Sequence, residues 1–107
     1  MMRLDRIEST DPVLIDVIDC FEQPELNDTS FSGKTVDVSE YGMQLAATMK
    51  IPVATRLAIR LDLQSTLYRL EGVVRWSRRN GEYLIGLQLD EDSADLVAWT
   101  RRFQLDF

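Results

Sequence analysis

RLAIRLDL, residues 56–63, carries the plainest pattern in the chain. Leu57, Ile59, Leu61 and Leu63 fall on one side of an extended backbone, while Arg56, Arg60 and Asp62 fall on the other. A two-residue period is that of a strand with one face in a core and one in water. Downstream, TLYRLEGVVRW (66–76) continues it, with Tyr68, Leu70, Val74 and Trp76 on one side, and YLIGLQL (83–89) follows an Asn80-Gly81 pair that favours a tight hairpin turn. Upstream, VLIDVIDC (13–20) sets Val13, Ile15 and Val17 on one face, and KTVDV and GMQLAA (34–38 and 42–47) read as two strands joined through Ser39-Glu40-Tyr41. FEQPELNDTSFS (21–32) reads as a loop, and MKIPVA (49–54) as a connection, because Pro52 lacks the N–H a central strand needs.

Only the C-terminal stretch changes period. Leu96, Trp99 and Phe103 recur at helical spacing, Ser93 can cap, Asp95 suits the positive end of a helix, and Arg101 and Arg102 suit the negative end; a helix over 93–105 is expected. Six strands with no crossover helices predict an all-β fold, a six-stranded antiparallel β-barrel over 13–89, with the helix covering an open end or edge. Residues 1–12, which carry Arg3 and Arg6, are expected to form a flexible arm, and residues 1–107 a single domain.

With 45% apolar and 28% charged residues the composition is that of a soluble globular domain, and no apolar run is long enough for membrane insertion. MMRLDRIESTD lacks the apolar stretch of a secretory signal and Cys20 is the lone cysteine, so a cytoplasmic setting is expected. A net charge of −6 argues against DNA or RNA as a partner, though a local group of arginines still suits a small anion. Histidine is absent and Cys20 has no visible activating neighbour; no enzyme, metal site or cofactor is expected.

The corner between the fourth-decade strands is DVSEYG, residues 37–42. Gly42 permits either a positive φ or close approach of another group, and Asp37 and Ser39 can bond nearby backbone, so the residues alone are satisfied by an ordinary turn. A functional reading needs cations facing the corner. DVSEYG resembles the D-x-S-x-x-G motif of PilZ domains, and GKTVDVSEYGMQL, KIPVATRLAIRLDL, EGVVRW and YLIGLQL follow in the order that family shows. The resemblance covers residues 3–103. It implies a six-stranded antiparallel barrel with an appended helix, and as ligand the bacterial messenger cyclic di-GMP, bound and not turned over.

The family holds this ligand with a second motif, R-x-x-x-R, before the first strand. Here Arg3 and Arg6 stand at R-x-x-R; if Arg6 takes the second place, Met2 occupies the first, and Arg3 substitutes from the neighbouring position. A guanidinium can give two parallel N–H bonds to a guanine edge or a phosphate. Asp5 and Glu8 compete for the same cations, and ordinary exposed charge is the other reading of both arginines. The resemblance further implies that Asp37 and Ser39 accept from and donate to the base, and that Gly42 leaves room for it. Trp76 either stacks on a guanine or completes the core. Arg75, Arg78 and Arg79 read as a solvated turn, or as a phosphate or partner contact. Two functional classes stand: a cyclic di-GMP receptor that signals to a downstream protein by ligand-induced ordering of its N-terminal arm, and a degenerate PilZ domain without nucleotide, acting as an adaptor in motility or pilus systems.

Overall fold

The structure is a computed structural model that describes residues 2–3 and 6–105, with side chains from 6 to 103. The strands are β1 (Met2–Arg3), β2 (Ile7–Glu8), β3 (Pro12–Asp19), β4 (Ser30–Val38), β5 (Gly42–Ala47), β6 (Arg56–Leu63), β7 (Thr66–Asn80), β8 (Glu82–Leu89) and β9 (Gln104–Leu105). One short helix, α1 (Leu96–Thr100), and two 3-10 turns, Pro24–Leu26 and Arg101–Phe103, complete the chain. All pairings are antiparallel, in the order β4-β3-β6-β7-β8-β5, and β5 returns to β4. The result is the closed six-stranded barrel that the alternation predicts. Closure leaves the barrel no free outer strand, which removes the usual hazard of edge pairing over most of its length.

The inward face of each strand fills the barrel. Ile15, Leu45, Leu57, Ile59, Leu70, Val74 and Ile85 are fully buried. Pro52 and its neighbours do form a connection, and Ile51 beside it is fully buried as part of the core. Trp99 and Phe103 close one end: Trp99 packs edge-on against Tyr68 and Phe103, with ring centroids 5.5 and 5.4 Å away.

Three expectations differ from what the backbone does. The helix runs over Leu96–Thr100, not 93–105. Ser93 and Asp95 are instead committed to the edge of β7 beyond the end of β8. The Ser93 hydroxyl accepts from the Glu71 N–H and donates to the Glu71 carbonyl, and the Asp95 carboxylate accepts from the Arg69 N–H. Those side chains stand in for a neighbouring strand, so the helix starts after them. At its other end, Gln104 turns to pair with Arg3.

The leading segment is likewise bonded rather than loose from Ile7 onward. Ile7 and Glu8 pair with Val38 and Asp37, and the Ser9 N–H donates to the Val36 carbonyl. The buried Thr35 hydroxyl accepts from the Asp11 N–H at 2.8 Å and contacts the Ser9 hydroxyl at 2.6 Å. Finally, the 21–32 loop is shorter than expected, because β4 begins at Ser30.

Candidate functional site

The corner, the leading segment and an irregularity in β7 meet on the outer face of the barrel. In β4 the register with β5 shifts between Thr35 and Asp37, so Val36 is an extra residue and Asp37 is brought opposite Gln44. In β7 the register with β8 shifts between Val74 and Trp76, so Arg75 is extra and Trp76 is brought opposite Gly86. Bulges of this kind re-aim side chains, and both do so here. Because Gln44 also faces Gly86, one row of directly opposed residues crosses four strands: Asp37, Gln44, Gly86, Trp76. At about 4.8 Å per strand, the row runs about 14 Å along the curved sheet from one end to the other.

The bulge corrects the expectation that Trp76 shares a face with Tyr68, Leu70 and Val74. Val74 is fully buried, but Trp76 is 37% exposed on the outside of the barrel. Its indole lies over Gly86, where any β-carbon would overlap the ring. A flat aromatic surface on a strand thus depends on a glycine in the next strand.

Gly42 is required for close approach. A β-carbon there would sit 2.9 Å from the Leu87 carbonyl oxygen, a backbone atom that cannot swing aside. Ser39 holds the turn: its N–H and its hydroxyl both donate to the Gly42 carbonyl, at 2.8 and 3.1 Å. The Ser39 carbonyl in turn accepts from the Trp99 indole N–H at 3.0 Å, which ties the corner to α1. Arg6 reaches the corner from the leading segment and donates to the Asp37 carboxylate at 2.7 Å. Its side chain remains 66% exposed, against 19% for Asp37. The side chain of Arg3, and Asp5, lie outside the described residues.

Beside this corner is a cavity of about 420 Å³, within the range of small-molecule sites. Arg6, Ser39, Gly42 and Trp76 line it, with Tyr41, Met43, Gln44, Arg75, Gly86, Leu87 and Gln88. Asp37 borders it through Arg6. Four of the expected residues therefore line one space, and a fifth pairs with one of them. The arrangement offers an exposed guanidinium at one side, an aromatic face at the other, and amide side chains between. Arg75 Nε donates to Gln88 Oε1 at 2.6 Å, which holds a second guanidinium at the rim. Such a surface suits a planar, anionic ligand with hydrogen-bonding edges. Among the described residues no cluster of three or more acidic or cysteine side chains could hold a metal ion. Reasoning from sequence passes over Gly86, Gln44 and Gln88; only strand register reveals that they share a row or rim with the motif.

The family model for the PilZ domain matches residues 20–103. The chain belongs to the PilZ domain family. Its architecture agrees with solved structures of that kind. One is the crystal structure of the PilZ domain of CeSA from a cellulose synthesizing bacterium, 21% identical with a TM-score of 0.67, with 92% of this chain and 93% of that chain covered. Another is the Bacillus subtilis inhibitor of motility MotI/DgrA, 15% identical with a TM-score of 0.71; here 95% of this chain matches 50% of that one. At these identities the likeness is one of fold. No curated protein matches the chain in a sequence comparison. No helix among the described residues is long and apolar enough to cross a membrane.

Proposed function

We propose that this PilZ domain is a cyclic di-GMP receptor and that the cavity beside DVSEYG is where the nucleotide binds. The observation that carries this reading is the convergence of Arg6, the Asp37–Gly42 corner and the exposed Trp76 on one cavity. In the bound state Arg6 leaves Asp37 and donates to a guanine edge or phosphate, which frees the Asp37 carboxylate to accept from guanine N–H groups. Trp76 supplies the stacking face once Arg78, which lies 4.8 Å over its ring, swings aside, and Gly42 supplies the clearance. The ligand is bound without chemistry; the cavity brings together no nucleophile and general base.

The signal also takes a specific form. Since Ile7–Asp11 are already bonded to β4, the event is the exchange of the Arg6 partner, with a downstream protein reading the changed surface. Calorimetric titration with cyclic di-GMP tests the reading. Saturable heat is expected, with Arg6→Ala costing about 1–3 kcal/mol of binding and Asp37→Ala and Trp76→Ala also weakening it.

One pair of observations favours the adaptor reading instead. Arg6 is engaged with Asp37, and the Ser39 hydroxyl is turned onto its own corner. Absence of heat at high protein concentration, with the fold intact, would overturn the receptor reading and favour that alternative.

A further inference from the structure

The basic cluster Arg75, Arg78 and Arg79 lies on a part of β7 that differs from the rest of the barrel. β6 pairs with β7 only as far as Val73, whereas β8 pairs with it as far as Asn80. From Arg75 to Asn80 the opposite edge of β7 therefore carries no strand among the described residues. The side chains along it are exposed except Ser77, which is half-buried. Backbone N–H and C=O groups on such an edge are a template for another extended chain.

The charges on this edge differ from those elsewhere on the barrel strands. Arg56, Arg60 and Arg69 on β6 and β7 each ion-pair with a carboxylate, and Lys34 takes Glu82 at the hairpin end. Arg78 and Arg79 pair with none among the described residues. Arg78 lies 4.8 Å over the Trp76 ring and Arg79 5.0 Å over the Tyr83 ring. Aromatic faces hold the two guanidiniums in place without neutralising them. Successive residues of a strand point to opposite faces, so the cations flank the open edge on both sides.

We infer that the open edge of β7, residues 75–80, is a docking site for an extended acidic segment of a partner protein, which adds to the sheet as a further strand. Strand addition supplies main-chain hydrogen bonds, and Arg78 and Arg79 select carboxylates on the incoming chain. A second copy of this edge is a poor occupant, because pairing would set guanidinium against guanidinium. A nucleic acid is also poorly suited: it cannot complete a backbone ladder, and the chain as a whole carries −6.

The test uses the full nitrogen-labelled chain and a synthetic peptide alternating Glu with Val, followed by amide NMR. The inference expects shift changes and slowed hydrogen exchange confined to residues 75–80 and their β8 partners. The Arg78→Glu, Arg79→Glu double variant should bind about ten-fold or more weakly, as should a peptide whose alternate amides are N-methylated. Shifts elsewhere or none at all would overturn it, as would undiminished binding by the double variant, by the methylated peptide or by a Lys-Val peptide. Stronger occupation of the same amides by an oligothymidine would replace the partner class altogether. Cyclic di-GMP is absent from the assay, so the outcome is independent of the nucleotide reading.

Discussion

Gly42 and Asp16 show how single side chains set limits in this barrel. Alanine at position 42 would place its methyl against the Leu87 carbonyl, and relief requires β5 or β8 to move. Gly42→Ala is expected to cost about 1–3 kcal/mol in urea unfolding. Asp16, away from the cavity, receives two hydrogen bonds from Arg60, at 2.8 and 3.0 Å. Those bonds hold its carboxyl below the ordinary carboxylate value, against the smaller opposing effect of partial burial, and the Ser30 hydroxyl helps them. A depressed value in the folded state means stability that is present above the unfolded carboxyl value and lost as the pH falls through the folded one. Asp16→Asn should therefore be less stable than the parent at pH 7 by about 0.2–1 kcal/mol, as for a surface pair. The gap should close in acid, as thermal unfolding across a pH series would show. Of the site, Asp37, Ser39 and Gly42 were legible because a corner motif is local in sequence. Gly86 was not, since its importance arises only from the ring that crosses onto it from another strand.

At the scale of elements, the β6–β7 hairpin turns through Gln64 and Ser65, both with positive φ, at 52° and 67°. Residues with a β-carbon are disfavoured there, and turns of this shape prefer Asn-Gly. Ser65→Gly should raise stability by about 0.5–1 kcal/mol, visible as a higher melting temperature. α1 offers a second test through its bond to the corner. Trp99→Phe keeps most of the packing but leaves the Ser39 carbonyl without its indole donor, at a cost of about 1–3 kcal/mol. The strands were legible because binary alternation is robust to single exceptions. The helix limits were not: Ser93 and Asp95 have the chemistry of caps, yet the unsatisfied edge of β7 claims them first. Trp76 misleads in the same way, because one extra residue at Arg75 reverses the face without altering the look of the sequence.

For the molecule as a whole, barrel closure could be argued from strand count and the absence of crossovers, but the pairing of β3 with both β4 and β6, and of β5 with both β4 and β8, is a long-range matter settled by packing. Each barrel strand is bonded to two others, and the β3–β6 and β5–β8 pairings join strands distant in sequence, so local opening of one weakens the others. Unfolding is expected to be a single cooperative transition, with far-ultraviolet and near-ultraviolet circular dichroism coinciding. The two tryptophans of this chain differ in burial: Trp99 is fully enclosed at the barrel end, while Trp76 is partly exposed on the outer wall. Their emission should accordingly separate into a blue component shielded from iodide and a red one that iodide quenches. The molecule thus carries two intrinsic lamps, one reporting whether the barrel is intact and the other whether its outer wall is occupied.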